Sequence, residues 1–120
     1  MDIQKIKDKI ENAMVAIATV NKEGKPHNIV VEVNKIKDGR VIVTNNYMKS
    51  TVENIKNNPN VSLVFWYGKE GAEKGYRIDG RAEYFDSGEW LDFVKGLKEN
   101  KGYPAKGAIV IEVNEVKELG

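Results

Sequence analysis

Cysteine is missing from this chain, and histidine occurs once, at His27. These absences exclude disulfides, iron–sulfur clusters, thiolate zinc sites and cysteine nucleophiles, and any serine–histidine–aspartate triad would rest on His27 alone. No metal site is expected and no catalytic side chain can be named, so redox or transfer chemistry here would be carried by a cofactor. Also missing is any apolar run near the roughly 20 residues that cross a bilayer, and Met1-Asp2-Ile3-Gln4-Lys5 lacks the apolar core of a signal peptide. The composition reads as a cytoplasmic protein with no membrane partner. Charge of one sign is lacking too: 19 Lys and Arg face 18 Asp and Glu, for a net charge of +1. With no basic stripe to neutralise a phosphate backbone, nucleic acid is not an expected partner.

What is present is 120 residues, 41% hydrophobic and 31% charged, the profile of one globular domain over residues 1–120. A domain of that length buries roughly two-thirds of the surface of its unfolded chain, which gives a core but little room for a deep private pocket. A bound cofactor is therefore expected to borrow a wall from a second subunit, in a homodimer.

Ile3, Ile6 and Ile10 recur at helical spacing, which predicts a short amphipathic helix over residues 2 to 12. A strand from Ala13 to Val20 follows, then turn residues from Asn21 to Pro26, then a second strand in which Ile29, Val31 and Val33 alternate with Asn28, Val30, Glu32 and Asn34. Lys37-Asp38-Gly39 closes a hairpin into a strand from Arg40 to Thr44. A helix begins near Ser50, where Ser50 and Glu53 match the capping box, and ends before Pro59. Val61 to Tyr67 and Tyr76 to Phe85 read as strands joined by the glycine-bearing loop Gly68 to Gly75. A third helix carries Trp90, Leu91, Phe93, Val94 and Leu97 behind a cap at Asp86 or Ser87, and a last strand runs from Gly107 to about Val116. Helix and strand do not alternate as a parallel sheet requires, so six antiparallel strands in a barrel with peripheral helices are expected.

The stretch from Val43 to Thr51 offers a lysine, two hydroxyls and the open amides of a helix start, which together suit a phosphate. The same residues serve equally as an ordinary helix cap and a solvated surface charge. Glu32 reads either as an acid at a site or as a solvated strand carboxylate, and His27, after Pro26, reads as an exposed turn residue. Trp66, Tyr67, Tyr76 and Tyr84 place large rings on adjacent strands, for packing, ligand cover or a subunit seam. Arg77 and Arg81 share a strand face with Asp79 and Glu83, as paired charges on a wet face.

Thr44-Asn45-Asn46-Tyr47-Met48-Lys49-Ser50-Thr51, the run from Asn57-Asn58-Pro59 through Trp66, and Arg77 to Glu83 together resemble the pyridoxamine 5'-phosphate oxidase-like FMN-binding split barrels. Val15 to Thr19 and Pro26-His27 agree with its minimal single-domain members, so the likeness covers nearly the whole chain. The resemblance implies a six-stranded antiparallel Greek-key split β-barrel, mainly β with short flanking helices, that binds FMN at a homodimer interface. It implies Lys49, Ser50 and Thr51 at the phosphate. Thr44, Asn45 and Met48 would lie beside the ring or ribityl chain, and Asn28, Val30, Val31 and Glu32 under the ring. The implied role is a flavoprotein passing electrons or a hydride to a redox partner or small substrate. A deazaflavin-dependent reductase of the same fold and a ligand-free interaction barrel are the alternatives. Haem is disfavoured because His27 is the sole imidazole. A single Lys49 stands where the oxidases place consecutive basic residues, and the chain stops at Gly120 without their C-terminal extension, so true pyridoxamine phosphate oxidation is not expected.

Overall fold

The computed structural model describes residues 1–119. Seven strands form one antiparallel sheet, in the spatial order β2-β1-β5-β6-β7-β4-β3. In chain order they are β1 (Met14–Val20), β2 (Pro26–Glu32), β3 (Lys35–Lys37), β4 (Arg40–Asn45), β5 (Asn60–Tyr67), β6 (Lys74–Phe85) and β7 (Gly107–Leu119). The expected six strands become seven because Asp38 and Gly39 both adopt positive φ, at 53° and 74°. That is the two-residue hairpin geometry whose twist matches the strands it joins, and it recruits Lys35–Lys37 as a paired arm with Lys37 opposite Arg40.

The two outermost strands in space, β2 and β3, are consecutive in the chain. Between them the Val33 amide donates to the Ala13 carbonyl on the β1 side, and the Asn34 amide donates to the Ile42 carbonyl on the β4 side, each at 2.9 Å. Two residues thus serve both edges of a curled sheet that is not closed by a ladder into a barrel. The concave face is filled by Val15, Ile17, Val41, Leu63, Ile78, Ile109 and Ile111, with Ile3, Ile6 and Ile10 of the N-terminal segment beneath them. Burial of this alternating set is the main stabilising term.

The N-terminal segment is one 3-10 turn, Ile3–Ile6, followed by one α turn, α1 (Lys7–Ile10), with Asp2 capping the start through the Gln4 amide at 3.0 Å. Glu11 closes this segment onto β3 by accepting from the Ile36 amide at 2.9 Å and from Lys7 at 3.1 Å. Burial pushes the Glu11 carboxyl pKa up, but the Ile36 amide, the Lys7 ammonium and the charge of Lys35 outweigh it and hold the value below 4.5. A depressed folded pKa stabilises the native state above the unfolded value and ceases to do so as pH falls through the folded value. Glu11→Gln should therefore cost less than about 1 kcal/mol at neutral pH. In urea titrations the difference from wild type should vanish when the pH is taken well below 4.5.

Helix α2 (Ser50–Asn57) turns Thr51, Val52, Asn54 and Ile55 inward, and Asn54 Nδ2 ties it to the buried Thr19 hydroxyl of β1 at 3.0 Å. The capping box at Ser50 and Glu53 does not form. The N-cap is Lys49, whose carbonyl accepts from the Glu53 amide at 3.1 Å, and no side chain caps the helix. Asn45 Oδ1 accepts from the Met48 amide at 2.7 Å, a local turn that starts the helix one residue earlier than the Ser-x-x-Glu pattern places it. Helix α3 (Glu89–Lys95) likewise has neither Asp86 nor Ser87 as cap. Gly88 takes that position with φ 86°. This helix covers Ile42, Ala108 and Val110 on the outer face of β4 and β7 with Trp90, Leu91 and Phe93.

Candidate functional site

A groove of about 440 Å³ runs along edge strand β2 to the turn between β4 and α2. Ile29, Val30, Val31 and Glu32 form one wall, because the groove follows the strand edge and meets consecutive residues. Thr44, Asn46, Tyr47 and Met48 form the other, with Met14 and the amides of Asn34 and Asn100 completing the lining. A second groove of about 600 Å³ continues along β2 past Pro26 and His27 to Ser50 and Glu53 of α2, with Lys22 and Lys25 at its rim. The start of α2 stands between the two.

Of the residues singled out in the sequence, the first groove brings together Val30, Val31, Glu32, Thr44 and Met48. Ser50 lines the second, and Lys49 is exposed at the helix start between them. Three residues fall elsewhere. Asn28 is exposed on the outer face of β2, opposite Ala18. Thr51 is 1% exposed beneath the helix. Asn45 turns inward, donating to the Tyr84 hydroxyl at 2.9 Å while holding the Met48 amide. Its neighbour Asn46 faces the groove instead. Strand alternation carried that signal, since Thr44 and Asn46 are two apart and share a face.

A directional hydrogen-bond chain underlies the groove. Asn100 Nδ2 donates to the Val94 carbonyl at 2.7 Å and to Thr44 Oγ1 at 2.8 Å. The Thr44 hydroxyl and amide donate to Asn34 Oδ1 at 2.7 and 2.9 Å. Asn34 Nδ2 donates to Glu99 at 3.2 Å, and Asn12 Nδ2 donates to Glu32 at 3.1 Å and lies 3.5 Å from Glu99. Asn34, Thr44 and Asn100 are buried, so the chain satisfies groups that would otherwise each cost about 1–3 kcal/mol. Asn34 and Asn100 were not visible in sequence, because their partners lie 10 and 56 positions away. At α2 no side chain caps the helix, and among the described residues no carbonyl or side chain accepts from the amides of Ser50, Thr51 or Val52.

Beside the groove, the outer face of β2, β1 and β5 carries Met14, Val30, Val64 and Trp66, which are 61, 65, 43 and 67% exposed. Register joins them, since Ala16 of β1 lies opposite both Val30 and Val64. Of the remaining rings, Tyr76 is buried and stacks on Phe65 at 5.5 Å, while Tyr67 is exposed. Arg77 pairs with Asp79 at 3.2 Å and Glu115 at 3.5 Å on a half-open face. No cluster of histidine, cysteine or acidic residues able to hold a metal occurs among the described residues, nor is any helix there long and apolar enough to cross a membrane.

The sequence profile of the pyridoxamine 5'-phosphate oxidase family matches residues 3–120. The chain belongs to that family. An uncharacterized protein of Methanocaldococcus jannaschii is 35% identical over 117 residues, spanning 92% of this chain and 75% of that protein. A pyridoxine/pyridoxamine 5'-phosphate oxidase of Microcystis aeruginosa is 26% identical over 92% of this chain, which covers 56% of the length of that family member. Among solved structures, HupZ of Group A Streptococcus superposes with a TM-score of 0.85 at 27% identity, covering 99% of this chain and 94% of its own. An FMN-binding protein from Syntrophomonas wolfei shares the fold at TM-score 0.75 and 15% identity, covering 98% and 88%. A heme-binding protein from Mycobacterium smegmatis does so at 0.75 and 18%, covering 99% of this chain and 53% of that one.

Proposed function

We propose that this member of the family is a cytoplasmic FMN-binding flavoprotein, in which a split barrel holds the flavin beside a homodimer seam and exchanges electrons or a hydride with a partner or small substrate. The observation that carries the reading is an apolar wall in the first groove that ends at Met48, two residues before an uncapped helix start whose Ser50 lines the neighbouring groove. Ile29, Val30, Val31, Tyr47 and Met48 offer the flat apolar contact that a ring system takes. The free amides of Ser50, Thr51 and Val52, with the Lys49 ammonium beside them, offer what a phosphate takes. The residues present therefore fit FMN. A bound flavin supplies the electron chemistry. The chain's own part is to fix the ring, exclude water with the valine and methionine side chains, and hold the phosphate.

The seam is supported by the exposed apolar face of Met14, Val30, Val64 and Trp66 that continues out of the groove. Isolated chains seldom leave such a contiguous patch to water. A second copy packed there would supply the wall that the half-open groove lacks. Haem is less favoured, because His27 lines the other groove, among Lys22, Glu23, Lys25 and Glu53, where a porphyrin finds no apolar bed.

Titrating the protein into FMN and into riboflavin, with flavin fluorescence as the readout, tests the phosphate end. Wild type should bind FMN at least about tenfold more tightly, since one charge-assisted hydrogen bond contributes roughly 1.5–3 kcal/mol. Lys49→Glu should remove most of that preference and leave riboflavin binding unchanged. Equal affinity of wild type for both flavins would overturn the assignment.

A further inference from the structure

We infer that Asn46 and Asn100 act as a matched donor and acceptor that reads an N–H beside a C=O on the edge of the ring in the groove, an inference that rests on the flavin reading. Asn100 is 7% exposed and lines the groove. Both of its Nδ2 hydrogens are committed, to the Val94 carbonyl and to Thr44 Oγ1. A carbonyl only accepts, so the amide cannot be turned round, and Oδ1 is fixed on the other side.

That oxygen has no hydrogen-bond partner in the protein, yet no fully buried side-chain nitrogen or oxygen among the described residues lacks one. Oδ1 therefore reaches accessible space, and the space Asn100 lines is the groove. Asn46 is its complement. Its Oδ1 accepts from the Ala105 amide at 2.9 Å, which fixes that side chain as well and leaves the Nδ2 donors without a protein partner in the same groove.

The groove thus presents one held acceptor and one held donor beside the apolar side chains of Ile29, Val30, Val31 and Met48, with Glu32 as its one charged lining residue among those described. Such a pair recognises an imide or lactam edge. The oxidised flavin ring carries a single N–H, at N3, flanked by two carbonyls, so N3–H is the ring donor available to Asn100, and a flanking carbonyl is the acceptor for Asn46. The preparation for this contact lies in the buried network, because Thr44 and Asn34 hold Asn100 in one orientation before any ligand arrives.

The test compares FMN with its N3-methyl derivative, which keeps the ring, ribityl chain and phosphate but has no N3–H. Affinities for wild type and Asn100→Leu are measured by fluorescence titration, with circular dichroism to establish that each is folded. Wild type should favour FMN by about tenfold or more, and Asn100→Leu should bring the ratio to within about twofold of unity, because the methyl penalty is coupled to this one side chain. A ratio unchanged by the substitution, with FMN still bound, overturns the pairing and leaves the flavin reading standing. Wild-type chain that binds no FMN at all overturns both. Should Asn100→Leu fail to fold, the wild-type complex with N3-labelled ¹⁵N FMN decides: slow exchange of the N3 proton with solvent supports the pairing, and exchange at the rate of free FMN overturns it.

Discussion

Val30→Arg should give a folded chain that binds no measurable FMN and sediments as a monomer. In the single chain Val30 is 65% exposed on an edge strand, so the substitution should change stability by no more than about 0.5 kcal/mol. Its site consequences are large, because the same side chain lies on the groove wall and on the apolar face shared with Met14, Val64 and Trp66. On the proposed reading, an arginine there fills the space assigned to the ring and leaves an unpaired charge where the proposed second subunit would dehydrate it, a penalty of several kcal/mol. Flavin affinity should fall by more than about 100-fold, as should the dimer association constant. Thermal melts, flavin titration and sedimentation velocity on one preparation separate these effects. A dimer that still binds FMN would place both ring and seam elsewhere.

A large loss of stability should come from Gly107→Ala. Gly107 opens β7 opposite Asn45 of β4, and its bare Cα is where the Tyr84 ring passes to reach the Asn45 side chain. A Cβ built there would overlap the ring and hydroxyl of Tyr84. The ring cannot retreat without breaking its bond to Asn45, which in turn holds the Met48 amide at the start of α2. Overpacking of this kind costs typically 1–3 kcal/mol, and losing the hydrogen bond adds about 1 kcal/mol more. We expect a fall in melting temperature of roughly 10 °C or more. Gly75→Ala is the control: its Cβ would meet the Leu119 side chain at 3.3 Å, with ordinary φ, and should cost less than about 1 kcal/mol. Equal melting temperatures for the two variants would show that Tyr84 can leave Gly107 freely.

The strands were legible because alternation of the Val15-Ile17 and Leu63-Phe65 kind is what a half-buried sheet imposes on a sequence. Helix α2 was bounded by Pro59, which the residue before it cannot enter in helical geometry. The seventh strand was not legible: Lys35–Lys37 is three residues with a single buried side chain, too short for a pattern. Helix starts failed for another reason. Ser50-x-x-Glu53 and Asp86-Ser87 have the right chemistry for caps, but the Asn45 turn and the positive φ of Gly88 fix the backbone first.

At the candidate site, the residues of β2 and of the turn into α2 were proposed from family likeness, and the structure gathers five of them in one groove. Which of Asn45 and Asn46 faces the groove was a question of strand parity that alternation could have settled. The place of Asn100 beside the groove could not have been read, since a polar residue after a helix carries no mark of the Thr44 hydroxyl it meets 56 positions earlier.

The decisive measurement is the visible spectrum of the purified, FMN-reconstituted protein, with identification of whatever small molecule heat releases from it. The groove beside β2 and α2 predicts a flavin spectrum and close to one FMN released per chain. Protein that stays colourless and fails to bind added FMN would contradict the cofactor assignment, while leaving the seven-stranded fold and its family unchanged.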